Sequence, residues 1–132
     1  MANPNIVSVS SIYAGNAAWA LPTTLDATLF TAAADVTVKI NSITATNTSA
    51  TVVTNLTLQV FGLTTSGITG VTIGSGQTDI MIAAATPVPG SYVLSVIDRQ
   101  IYLMEGDILK GGASVATVDL FICYEVINDA KY

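Results

Sequence analysis

The feature that most constrains this chain is a strict two-residue alternation across residues 117–127. Val118, Leu120, Ile122, Tyr124 and Val126 fall on one side; Thr117, Asp119, Phe121, Cys123 and Glu125 fall on the other. Successive side chains of an extended strand point to opposite faces, so the first set faces a core and the second faces outward. The outward row departs from the usual polar pattern, because Asp119 and Glu125 bracket an apolar pair, Phe121 and Cys123. An apolar centre with a charged margin on the back of a sheet suggests a contact surface, the alternative being a second buried layer covered by a loop of the same chain. The pattern points towards assembly rather than chemistry.

The same period recurs along the chain with local breaks. Residues 6–13 read as a strand, with Val7 and Val9 opposite Ser8 and Ser10. Ala14-Gly15-Asn16 interrupts it, and Pro22 closes a short apolar segment that carries Trp19. Residues 26–32 form a second strand with Leu25, Ala27 and Leu29 on one face, and a helical turn at 31–35 would be too short to stand alone. Residues 36–47 are a long strand in which Val36, Val38 and Ile40 hold one phase and Ile43 and Ala45 the other. Such a switch predicts a bulge near Asn41-Ser42. A loop at 48–54 leads to a strand at 55–62, expected to pair with its predecessor as a meander.

The stretch 64–76 is rich in Gly, Thr and Ser and reads as an edge strand or a surface excursion. Residues 79–84 alternate with Ile80 and Ile82 inward, and Pro87-Val88-Pro89-Gly90 forces an extended turn. Short strands at 91–97 and 100–104 flank a turn or kink at Asp98-Arg99. Turns are expected at Glu105-Gly106-Asp107 and at Lys110-Gly111-Gly112. Eight to ten short strands with turn signals every ~8–12 residues and no amphipathic helix predict an all-β chain. The expected architecture is a jelly-roll-like antiparallel β-sandwich. It forms one domain over 1–132, with an N-terminal arm (1–5) and a C-terminal tail (128–132).

Composition sharpens the assembly reading. Charged residues make up 10% of the chain, against the ~25% usual for soluble domains. Thr, Ser, Asn and Gly stand where Lys and Glu usually do. A free monomer keeps itself dispersed with a surface about 25–35% charged, so copies of the chain or a partner are expected to cover much of this one. The net charge is −5 and the four cations, Lys39, Arg99, Lys110 and Lys131, are scattered, which argues against nucleic-acid binding. No apolar run approaches the ~18–20 residues of a membrane helix. No secretory signal is visible, and the lone Cys123 fits a reducing cytoplasm. Asn47-Thr48-Ser49 and Asn55-Leu56-Thr57 match the glycosylation pattern but read as strand-edge residues.

Candidate chemistry is sparse. The chain contains no histidine, the usual general base and commonest metal ligand near neutral pH. Cys123 sits in mid-strand and reads as a packed thiol. Glu105 and Asp107 flank Gly106, but calcium needs six or more oxygens, and the pair reads as a solvated turn. A hydrolase would need two acids such as Asp98 and Glu105 brought close together. Gly74-Ser75-Gly76 and Gly111-Gly112 lack the Lys-Ser/Thr ending of a phosphate loop and read as turns. No enzyme activity, cofactor or metal is expected. Trp19 with one or two tyrosines would serve a glycan platform; core or interface packing is the commoner fate of such rings.

The opening Met1-Ala2-Asn3-Pro4-Asn5-Ile6-Val7, the strand-turn VTVKINSITATNTS at 36–49, and the close IYLMEGDILK (101–110) with TVDLFICYEVI (117–127) carry a likeness. The chain resembles small virion structural proteins of tailed bacteriophages, particularly those infecting cyanobacteria. It departs from them in the Thr/Gly-rich insert around 64–76 and the apolar Phe121-Ile122-Cys123. The resemblance implies a capsid cement or decoration protein, made in the host cytoplasm and carried on the capsid surface. It also implies a homotrimer that braces the major capsid protein. The candidate contact residues are Phe121, Cys123, Ile6, Val7 and Trp19. The alternative is a tail, baseplate or fibre-tip module that binds a partner protein or a host glycan.

Overall fold

The alternating segments build nine strands in a computed structural model that describes residues 9–63, 76–97 and 99–129. They are β1 (Val9–Ala20), β2 (Ala27–Thr31), β3 (Val36–Asn47), β4 (Thr54–Phe61), β5 (Ile80–Val88), β6 (Val93–Ile97), β7 (Ile101–Leu103), β8 (Ile108–Ala113) and β9 (Val118–Asp129). No helix occurs among the described residues; the 31–35 segment is the last residue of β2 and a turn in which Asp35 takes a positive φ of 59°. Two antiparallel sheets result. One has the order β1-β9-β3-β6, with β7 also paired to β3; the other has the order β2-β8-β4-β5.

That order is a rolled ribbon. β1 pairs with β9, β2 with β8, β3 with β6 and β7, and β4 with β5. The first half of the chain thus lies antiparallel to the second, and the ribbon folds over so that β9 meets β3 and β8 meets β4. This is the jelly-roll winding of a β-sandwich. β3 and β4 therefore sit in different sheets and form no meander pair, because the six residues between them cross from one sheet to the other. β9 runs to Asp129, so residues 128 and 129 are strand rather than tail.

The core lies between the sheets. Ile40, Ile43, Leu120 and Ile122 from one sheet and Leu56, Leu58 and Leu109 from the other are fully buried. Ile40 and Ile43 share that face, although three residues apart, because the register of β3 against β9 shifts between Ile40 and Ser42. The bulge predicted from the phase switch is there. Beside it the neighbouring edge breaks: β7 pairs with residues 38–40 and β6 with residues 43–46, end to end along β3. The interval between them is a kink rather than a hairpin; Asp98 itself lies outside the described residues.

Two glycine signals read as breaks are mid-strand. Gly15 lies within β1, opposite Tyr124 of β9, and a Cβ there would meet the tyrosine ring at 2.8 Å. The ring covers the glycine, and the strand passes through. Gly111 and Gly112 lie within β8, not in a turn. A Cβ on Gly111 would meet the Leu58 side chain at 2.5 Å, and one on Gly112 would strike the backbone of Pro22, Thr24 and Leu25. Glycine in a strand marks close approach as often as a turn, and here it admits the β1–β2 connection.

Two further expectations are corrected. Leu25 is exposed on that connection rather than sharing a core face with Ala27 and Leu29. Ile80 is also exposed, while Ala83 takes the core position, because β5 is bulged against β4 on both sides of Leu58. Pro87 and Val88 still belong to β5, whose outer edge needs no N–H from proline. The stretch 64–75 lies outside the described residues.

Candidate interaction surface

The outer face of the five-stranded sheet can be read from the registers, since directly paired residues share a face. Ala18, Phe121, Thr44 and Ser95 form one row across β1, β9, β3 and β6. Ala20, Asp119, Thr46 and Val93 form the row on one side of it. On the other side lies Asn16, Cys123 and Ser42, then Ala14, Glu125, Lys39 and Tyr102. Most of these side chains are small. Phe121 is 44% exposed and stands at the centre, flanked by Ala18 and Thr44. The outward apolar pair read from the sequence does face away from the core.

This face is nearly free of net charge. Lys39 Nζ lies 3.7 Å from Glu125 Oε2, which leaves Asp119 as the one further ionic side chain in these rows. Exposed pairs of this kind contribute well under ~1 kcal/mol, but they neutralise the surface. β1 is also an edge strand, twelve residues long, with no charge and no proline. Ile12 and Tyr13 on it are both 60% exposed. Long, flat, uncharged edges are what proteins usually disguise.

The five candidate contact residues divide. Phe121 and half-buried Cys123, a free thiol, share the outer face. Trp19 is on the other face of β1, paired with Leu120, and half-buried. Its ring meets Phe30 of β2 edge-on at 5.3 Å, and Phe30 meets Tyr124 at 4.9 Å. The tryptophan therefore clamps the two sheets at the β1 edge rather than forming the outer surface. Trp19→Ala is expected to lower unfolding free energy by about 2–4 kcal/mol, measured by urea denaturation. Ile6 and Val7 lie outside the described residues. Ala14, Asn16, Ala18 and Ala20 form the outer column of β1, which the sequence does not announce because Gly15, mid-strand here, looks like a strand end.

The polar candidates are absorbed by the fold. Asp107 is 1% exposed, not solvated; its Oδ2 accepts the Met104 N–H at 2.9 Å and its backbone carbonyl accepts the Ala32 N–H. Glu105 Oε2 accepts the Asp35 N–H at 2.8 Å, which ties the β2–β3 turn to the β7–β8 turn. Asn47 is fully buried, so its glycosylation pattern is a coincidence of composition. Asn55 is exposed, with its backbone N–H bonded to Ser114 Oγ at 2.8 Å. Among the described residues no group of three or more His, Cys, Asp or Glu side chains is placed to hold a metal ion. No helix long and apolar enough to cross a membrane occurs among them.

No protein-family model, curated protein or solved structure matches the chain.

Proposed function

We propose that the chain is a non-enzymatic virion structural protein, a capsid cement or decoration protein that binds the major capsid protein shell as an oligomer. The observation that carries this reading is the outer face of the β1-β9-β3-β6 sheet, small-sided, almost uncharged and centred on exposed Phe121. A face with these properties gains from being covered by protein, at about 25 cal/mol per Å² of apolar area removed from water. The jelly-roll winding is compatible but does not choose, since capsid domains and lectins both use it. The tail or glycan-binding alternative draws less support. Trp19, on which a sugar platform would rest, packs edge-on against Phe30 inside the fold.

Purified particles supply the test. Quantitative mass spectrometry of virions is expected to count the chain at a stoichiometry comparable with the major capsid protein, and cryo-EM to place it on the capsid surface. Density only at the tail would refute cement in favour of the alternative, and absence from the particle would refute both.

A further inference from the structure

We propose that two copies of this chain join through their β1 edges, antiparallel about a twofold axis at Asn16, so that their five-stranded sheets become one. The inference stands on β1 itself and does not rest on the cement reading. Of the four sheet edges, three are disguised. β2 is five residues long and bulged, β5 is bulged against β4 and carries Pro87, and β6 and β7 are short strands set end to end along β3. β1 is long, holds unbroken register with β9 from Ser11 to Ala20, and has no charge and no proline. Its free side presents a row of backbone groups. The Leu21 N–H bonds the Val118 carbonyl at 2.9 Å, and hydrogen-bonded pairs alternate along an antiparallel ladder. Trp19, Ala17, Gly15 and Tyr13 therefore bond β9. The N–H and C=O groups of Ala20, Ala18, Asn16, Ala14 and Ile12 point away from the sheet, on a side where no described strand pairs with β1. An edge of this kind accepts an added strand.

The order of residues along β1 selects a second copy as the added strand. Read from Ile12 to Ala20 the run is IYAGNAAWA, close to a palindrome about Asn16 in residue type: Tyr13 answers Trp19, Ala14 answers Ala18 and Gly15 answers Ala17. Laid antiparallel on its twin and centred at Asn16, the strand meets its own pattern, as an isologous contact requires. The residues with outward backbone groups then face one another: Ile12 opposite Ala20, Ala14 opposite Ala18, and Asn16 opposite Asn16. Each such pair exchanges two hydrogen bonds. At the axis the two Asn16 side-chain amides each offer the other a donor and an acceptor. On the core-side face, Tyr13 of each copy falls opposite Trp19 of the other. That position is a non-hydrogen-bonded pair, where side chains come closer and aromatic pairs stabilise a sheet. In the single chain Tyr13 is 60% exposed and Trp19 only half-buried, so both rings gain cover. An edge built for an unrelated strand has no need to mirror itself. This one does so on both faces.

The pairing predicts a dimer rather than the trimer that the phage resemblance implies. Light scattering after gel filtration of the full chain at about 10–100 µM is expected to give twice the chain mass. Asn16 is exposed, so Asn16→Asp and Asn16→Lys should both fold. Each sets like charges against one another at the axis and is expected to weaken the dimer at least ~30-fold, while an equimolar mixture of the two restores it. Ala18→Pro removes an outward N–H that β9 does not use, which an edge strand tolerates, and is expected to abolish pairing. Trp19, the one tryptophan of the chain, reports the same contact: its fluorescence should change on dilution of the parent but not of Ala18→Pro. A monomeric parent chain, a trimer, a dimer indifferent to these substitutions, or a charge-swapped mixture that stays apart overturns the inference. So does loss of the dimer in Phe121→Glu, which would move the contact to the outer face of the sheet. A β1-paired dimer found on no virion would sink the cement reading while leaving this contact intact.

Discussion

Replacing Asn47 by alanine is expected to lower the unfolding free energy by about 3–5 kcal/mol, a large part of the ~5–15 kcal/mol typical of a domain. Asn47 closes β3 and is fully buried, yet every hydrogen-bonding position of its amide is used. Nδ2 donates to the Val52 carbonyl at 2.7 Å and the Val88 carbonyl at 2.9 Å. Oδ1 accepts from the Ser49 N–H at 3.1 Å and the Thr117 hydroxyl at 2.9 Å. One side chain thus ties together the β3–β4 loop, the end of β5 and the start of β9. Alanine leaves those partners without their amide, and buried groups of that kind cost about 1–3 kcal/mol each. Asn47→Asp is nearly isosteric and keeps the acceptor, but it sets a carboxylate against two carbonyl oxygens and should be at least as damaging. Urea denaturation followed by Trp19 fluorescence reads both; a loss below about 1 kcal/mol in either would show that the loops hold themselves.

Gly112→Ala is the second large effect, about 2–4 kcal/mol of lost stability with a melting temperature lower by roughly 10 °C or more. The position is buried in β8, and the added methyl would strike the Thr24 carbonyl oxygen and lie 2.9 Å from Leu25 Cα and from the Pro22 carbonyl oxygen. Those obstacles are backbone, held in place by the Ala113 N–H bonded to the Pro22 carbonyl at 3.0 Å. The β1–β2 connection must lift, and with it the Leu21 side chain, which is 2% exposed beneath the turn. Differential scanning calorimetry measures the shift. A melting temperature within 2 °C of the parent would mean that the connection yields freely, and the close-approach reading of this glycine would fail.

The contrast between the two glycine sites shows where sequence reasoning stops. Gly15 and Gly112 both look like punctuation, because glycine is the commonest turn residue and its neighbours give no local sign of what crosses it. One is covered by a tyrosine more than a hundred residues away in sequence, the other by a loop some ninety residues earlier. Neither partner is visible within a window of ten residues. The bulge in β3 was legible for the opposite reason: the period-two rule is local, and a change of phase between Ile40 and Ile43 is written in the strand itself. The outward placement of Phe121 and Cys123 was legible on the same rule. Trp19 faces Phe30 rather than the outer surface because the alternation of β1 runs unbroken through Gly15, which in sequence looks like a strand end.

Alternation, turn chemistry and the scarcity of charge were enough by themselves to make this an all-β sandwich with one outward apolar row. Those properties depend on neighbours two residues apart and on totals. Which strands pair, which glycines carry a crossing chain, and which small residues line up beside Phe121 were decided by the rolled ribbon alone. Its contacts join β1 to β9 and β2 to β8, the far ends of the chain, and a pairing energy spread over so many residues leaves no mark on any short segment.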